Sequence, residues 1–229
     1  MPETERLILR RYRKEDLQDL YEYLSDEEVV RFEPYRPMDM LETAAELNER
    51  IHNDEMIAVE LKENHKLIGN VYLGERKFDT LELGYVFNKN YWGKGYAKES
   101  GKALIQKAFS EGIHRIYAEC DPCNIASWRL LEALGFVREA HFKENVYFWT
   151  DEKGNPIWKD TFVYSLLNKR PGLLTGSFYF YTVLYDFTSF RDQSADWSWE
   201  SVSPRLTEPR DAGHRKMRIA TGLTTLAMT

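Results

Sequence analysis

The chain predicts an α/β fold: a mixed, strongly twisted sheet with helices on both faces. Three observations predict it. Helical and strand-like apolar periodicities alternate through residues 1–170. Three strands follow one another with short polar joints between residues 56 and 87. A further strand-to-helix junction, YWGKGYAKES at 91–100, turns through two glycines. Such alternation marks a sheet packed by helices.

The elements follow in order. RLILRRY (6–12) is a short apolar strand. KEDLQDLYEYL (14–24) repeats Leu17, Leu20, Tyr21 and Leu24 at helical spacing, and MLETAAELNERI (40–51) is a second helix. MIAVEL (56–61), KLIGNVYLGE (66–75) and TLELGYVF (80–87) read as an antiparallel meander. YAKESGKALIQKAFSEG (96–112) puts Ala97, Gly101, Leu104, Ile105, Ala108 and Phe109 on one face and stops at Gly112. RIYAEC (115–120) is a strand. NIASWRLLEALG (124–135) is a helix capped by Asn124 and ended by Gly135. FVREAHFKENVYFWT and IWKDTFVYSLL supply two more strands. No internal repeat is visible.

Past Arg170 the texture changes. PGLLTGSFYFYTVLYDFTSF is aromatic-rich, the remainder lacks periodicity, and Lys216 is the only lysine. Residues 171–229 carry six basic and six acidic residues, so the net charge of -6 belongs to the first part. Residues 1–170 are read as one domain and 171–229 as a C-terminal extension of undecided order: an accessory segment, a fusion scar, a read-through extension, or a patch packed on the main domain.

The totals exclude some classes. A net charge of -6 gives no bulk attraction to nucleic acid or an anionic membrane. Two cysteines are too few for a secreted disulfide scaffold. The N-terminus MPETERLILRR has no secretion-signal pattern, and no run of about 18 apolar residues exists to span a bilayer. The expected setting is the reducing cytoplasm. Cys120-Asp-Pro-Cys123 has half a zinc spacing, but there is no second cysteine pair and His114 has no partner pattern, so no metal is expected. Tyr147, Phe148 and Trp149 read as sheet packing.

The glycine junction carries the chemistry. A strand, a tight glycine turn and a helix start together form a phosphate-holding geometry. The first amides of a helix lack internal acceptors, and the dipole adds roughly half a positive charge there. Gly93, Gly95 and the small Ala97 let the backbone come close to a pyrophosphate, and Lys94 adds charge or faces water. A P-loop requires Gly-Lys-Ser/Thr after four further residues, which is absent. A dinucleotide fingerprint requires a sixth-place glycine, where Lys98 stands.

Trp92-Gly93-Lys94-Gly95-Tyr96-Ala97 instead resembles the acetyl-CoA loop of the GNAT N-acetyltransferase superfamily, with tryptophan in the first place of its Gln/Arg-x-x-Gly-x-Gly/Ala pattern. LELGYVF before it, NIAS after it and LLEALGF closing the next helix resemble the branch containing the ribosomal-protein-alanine N-acetyltransferases. The resemblance covers about residues 5–168 and finds no counterpart for the extension. It implies a GNAT acetyltransferase fold, with acetyl-CoA lying where the fourth and fifth strands splay apart. Tyr85, Val86 and Phe87 would then offer backbone groups to the pantetheine arm, and Trp92, Gly93, Lys94, Gly95, Tyr96 and Ala97 would hold the pyrophosphate.

Acetyl transfer to an amine requires a deprotonated nitrogen, stabilisation of the thioester oxygen and a donor for the departing thiolate. By resemblance, Asn124 contacts the cofactor arm and Ser127 reaches the sulfur as donor. Helix capping and an ordinary first-turn serine are the competing readings. Glu82, alternating with Leu81 and Leu83, is the candidate base, and a solvated strand carboxylate is its alternative. Glu33, Tyr35 and Asp39 in RFEPYRPMD lie where the family borders its acceptor, or form a polar loop. The expected activity is direct attack of a primary amine on acetyl-CoA, the acceptor being a protein N-terminus or an amine-bearing small molecule. A non-catalytic acyl-CoA sensor is the reading from another class.

Overall fold

The computed structural model describes residues 1–168; the extension expected at 171–229 lies outside the described residues. The elements are β1 (Leu7–Arg10), α1 (Leu17–Leu24), α2 (Glu27–Val30), α3 (Met40–Ile51), β2 (Met56–Leu61), β3 (Leu67–Arg76), β4 (Thr80–Phe87), α4 (Tyr96–Ser110), β5 (Arg115–Cys120), α5 (Ile125–Ala133), β6 (Val137–Val146) and β7 (Lys159–Leu167). One seven-stranded sheet runs β1-β2-β3-β4-β5-β7-β6. Every pairing is antiparallel except β4 with β5, which is parallel across the α4 crossover.

Alternation along the strands sends side chains to two apolar layers. Ile57, Val59, Ile68, Leu83, Tyr85 and Ile116 pack with α4 and α5 through Leu104, Ile105, Leu130 and Leu131. Ala58, Leu67 and Val86 pack on the other face with α1, α2 and α3 through Leu20, Tyr23, Leu24, Val29 and Leu47. The helices on both faces are thus in place. At Gly69 a Cβ would lie 2.6 Å from the Phe87 ring, so the β3–β4 approach requires glycine there.

The expected elements are recovered with shifted ends. The first expected helix begins as a 3-10 turn over Lys14–Asp16 before α1. The four-residue α2 was not expected; Asp26 caps it by accepting from the Glu28 amide. Asp39 and Glu42 form a reciprocal capping box at α3, each side chain accepting from the other's amide at 2.8 and 2.9 Å. β7 inserts between β5 and β6, which leaves β6 an exposed edge strand. No helix among the described residues is long and apolar enough to cross a membrane.

Candidate active site

The parallel rungs between β4 and β5 are few: Thr80 with Arg115, Leu81 with Ile116, and Glu82 with Tyr117. Beyond Glu82, β4 stays on β3 as far as Phe87 opposite Gly69, and β5 stays on β7 as far as Cys120 opposite Phe162. The two strands therefore part, and a wedge opens between residues 83–87 and 118–120. Asn88 donates its amide to the Ile68 carbonyl. By the alternation of an antiparallel ladder, even-numbered β4 residues face β3, while the backbone groups of Leu83, Tyr85 and Phe87 face the wedge. Val86 turns its backbone to β3 and its side chain to the α1–α3 layer.

The glycine loop closes the wide end of this wedge. The Trp92 indole N–H donates to the Phe87 carbonyl at 2.8 Å, which pins the loop to the strand it leaves. Gly93 and Gly95 adopt φ of 70° and 82°, and Gly95 caps α4 in the left-handed region. A Cβ on Gly93 would meet nothing within 4 Å; conformation, not crowding, requires glycine there. None of the amides of residues 93–97 donates to an acceptor among the described residues. Residues 93 and 95–97 border a cavity of 260 Å³ whose walls include Phe87, Trp92 and Tyr96, with Ala126, Arg129 and Leu130 of α5 opposite. Lys98 and Arg129 bring positive charge to this opening. Lys94 does not line it; its ammonium lies 5.2 Å from the centre of the Tyr91 ring.

Asn124 and Ser127 stand one layer behind that wall. Asn124 caps α5 by accepting from the Ser127 amide at 3.1 Å. Ser127 is fully buried. Its Oγ lies 3.3 Å from the Tyr85 hydroxyl, which donates to the Ser127 carbonyl at 3.1 Å. Burial pushes the Tyr85 hydroxyl well above its ordinary pKa, so it stays protonated.

Glu82 lies on the opposite sheet face, 4% exposed. Its Oε2 accepts from Arg76 Nε at 3.0 Å, from Arg76 Nη2 and from the Tyr117 hydroxyl at 3.1 Å. Arg76 in turn donates to the Tyr72 hydroxyl at 2.9 Å. Two residues along β5, Glu119 is half-buried on the same face as Tyr117 and Glu82. Burial, then the Glu82 charge, raise its pKa. Sequence reasoning missed Glu119. Its alternation with Ala118 and Cys120 was visible, but an acidic residue on the polar side of a strand ordinarily faces water.

The acceptor-side loop is less uniform than its composition. Asp39 is committed to capping α3. Glu33 is 1% exposed, and its carboxyl and the buried Tyr35 hydroxyl face each other without a hydrogen bond of good geometry to any described residue. Arg36 stacks 5.0 Å from the Trp149 ring, and Lys159 lies 5.6 Å from the Phe32 ring while pairing with Asp121 at 3.1 Å. The loop is thereby tied to the start of β7 and the end of β5. Cys120 is buried and its thiol pushed up to about 12, chiefly by burial, so it is no nucleophile at neutral pH; Cys123 is an exposed free thiol.

Comparison with known proteins agrees with this geometry. The family model described as an acetyltransferase (GNAT) domain matches residues 6–137. The uncharacterized N-acetyltransferase YnaD of Bacillus subtilis is 37% identical over 173 residues, spanning 73% of this chain and 96% of that protein. An acetyltransferase of the GNAT family from Bacillus anthracis superposes with a TM-score of 0.67 at 31% identity, over 73% of this chain and 98% of its own. The ribosomal-protein-S5-alanine acetyltransferase of Vibrio fischeri superposes with a TM-score of 0.61 at 25% identity, over 73% and 96%. Parted strands, a glycine loop with free amides and these matches lead to one conclusion: the chain belongs to the GNAT family of acetyltransferases and is an acetyl-transferring enzyme.

Proposed function

We propose that the enzyme moves an acetyl group from acetyl-CoA to a primary amine by direct attack within a ternary complex. The observation that carries this reading is the row of unpartnered amides at 93–97, of which residues 93 and 95–97 border the 260 Å³ cavity beside the parted strands. That row supplies donors and a helix N-terminus for a diphosphate, with Lys98 and Arg129 adding charge. The backbone of Tyr85 and Phe87 faces the wedge, where an extended pantetheine arm would run as an added strand. In this reading Glu82 is the base on the amine's side of the reaction and Ser127 the donor on the thiolate's side. The domain is taken to end near residue 170.

The acceptor class follows from the acceptor-side loop. Glu33 and the Tyr35 hydroxyl, buried together without a well-formed hydrogen bond, suit a polar amine. Among amines, a protein N-terminus, the kind of acceptor named for the Vibrio fischeri neighbour, and a small amine differ in bulk. Free thiols at Cys120 and Cys123 fit a cytoplasmic setting. Calorimetry with CoA tests the cradle, and a mass-spectrometric screen of mixed amines and peptides tests transfer. Absence of CoA binding sinks the whole reading. Binding with no acetylated product favours an acyl-CoA sensor.

A further inference from the structure

The hairpin joining β3 to β4 turns through two consecutive non-glycine residues in the left-handed region, Phe78 at φ 62° and Asp79 at φ 50°. Side chains disfavour that backbone, and hairpin tips that need it favour Asn and Gly. The rest of the fold holds the turn in place. The Asp79 carbonyl accepts from the His114 and Arg115 amides at 2.9 and 3.2 Å, and the Thr80 hydroxyl donates to the Phe78 carbonyl at 3.2 Å. What the strained turn presents is a phenylalanine ring 88% exposed, the most exposed of the large apolar side chains among the described residues. Strain fixed by its surroundings concentrates where a protein does work.

At the same end of the sheet, away from the glycine loop, α4 and the strands leave a groove of 450 Å³. Its floor is apolar: Ile57, Leu73, Leu81, Leu104, Ala108 and Ile113. Its rim is charged. Arg11 pairs with Asp54 and Lys107 with Glu111. Glu55 accepts only from neutral donors, the Glu75 amide at 2.8 Å and the Tyr72 hydroxyl at 3.1 Å. The Glu75 carboxylate makes no hydrogen bond and no ion pair with any described residue. Two negative charges on the rim therefore lack a cation. An apolar floor beside unpaired carboxylates fits an apolar side chain that has a cation next to it. Lys77-Phe78 is such a pair, and both residues are exposed.

We propose that this end of the sheet is the interface of a two-fold dimer, in which Phe78 of each copy enters the groove of the other. Knob and groove lie at one end of the molecule, so a single two-fold axis satisfies both contacts at once. Lys77 then approaches the carboxylates of Glu55 and Glu75, and Asp79, on the other flank of Phe78, has Lys107 on the α4 rim as its counterpart. A buried phenylalanine covers roughly 150–250 Å². An interface of ordinary size covers about 800 Å² on each side. The two rings are thus anchors and the charged rims supply the remainder, so association is expected to follow concentration. The glycine loop lies at the other end of the 15-residue α4, roughly 20 Å along its axis, and stays open in the dimer.

The test is the mass in solution of the full chain, read by sedimentation from about 1 to about 100 μM. The wild type is expected to rise from the single-chain 27.1 kDa toward twice that mass. Phe78→Asp removes the knob and Ile113→Arg blocks the groove; each, shown by circular dichroism to fold, should stay at the single-chain mass. An equimolar mixture of the two should associate again, because one intact knob meets one intact groove and the two introduced charges are opposite. Lys77→Glu should weaken association at least tenfold, and combining it with Glu75→Lys should restore it. Phe78 and Lys77 are exposed, so F78D and K77E decide the matter even where I113R does not fold. A wild type that keeps its single-chain mass throughout, as it would with the groove covered by another part of its own chain, overturns the proposal. So does an F78D chain that still pairs, or a mass that grows past two chains, which would mean head-to-tail addition.

Discussion

Arg6 and Glu99 join the strand that opens the sheet to the first turn of α4. Arg6 Nε donates to Glu99 Oε2 at 2.7 Å, and its amide donates to Glu99 Oε1 at 2.9 Å. Arg6 Nη1 also donates to the Lys94 carbonyl at 3.0 Å, and its guanidinium lies 4.4 Å from the Tyr96 ring centre. One side chain thus ties the middle of the glycine loop to β1. Arg6→Ala is expected to weaken CoA binding roughly threefold to fivefold, since an exposed ion pair is worth up to about 1 kcal/mol. Calorimetry with CoA checks it; unchanged affinity would mean the loop holds itself.

The same contact sets a pH dependence. Burial works against the Glu99 charge, but bonds from Thr4 and from the Arg6 amide and guanidinium outweigh it, holding the carboxyl below its ordinary range. A depressed folded pKa contributes stability that is fully present above the unfolded value, about 4.3, and lost as pH falls through the folded value. Glu99→Gln should therefore lower Tm at pH 7 and narrow its gap to the wild type on acidification below about pH 4. Thermal melts between pH 3 and pH 7 read the difference, and a constant gap would refute the assignment.

The loop glycines separate conformation from space. Gly95→Ala places a side chain at φ 82°, a cost of about 1–2 kcal/mol. Gly93 has an open front, so Gly93→Val joins strain at φ 70° with a branched side chain in front of the amides. Both variants should melt earlier. The branched one should lose CoA affinity beyond what its melting shift accounts for, checked by calorimetry on folded protein. Equal losses in the two would argue that no ligand approaches residue 93.

How much of this was legible in the sequence depends on the range of the forces involved. The glycine turn, the Asn124 cap and the core face of α4 are local, and local periodicity and capping chemistry placed them within a few residues. The seating of β7 between β5 and β6 is a long-range pairing with no local signature. The parting of β4 and β5 was expected only through the family resemblance. Glu82 and Glu119 look alike on paper, as acidic residues alternating with apolar ones. Only the arrival of Arg76 from β3 distinguishes them. α2 was missed because four residues are too few to show a period.

Glu33 supplies a final measurable consequence. Its carboxyl is 1% exposed without a well-formed hydrogen bond, and burial raises its pKa well above the usual range despite the opposing charge of Arg50 and the nearby Tyr35 hydroxyl. A raised folded pKa means the native state binds a proton the unfolded chain has released. Stability from this group is complete below the unfolded value of about 4.3 and declines as pH rises toward the folded one. Glu33→Gln keeps the shape and removes the titration. It should leave Tm unchanged near pH 4 and raise it at pH 7.5, because the wild type loses about 1.4 kcal/mol for each pH unit between the unfolded and the folded pKa and the variant does not. Melting curves of both proteins across that interval decide the matter. A variant less stable at pH 7.5 would show that Glu33 is ionised there and held by the Arg50 charge, and the neutral carboxyl inferred from its burial would be wrong.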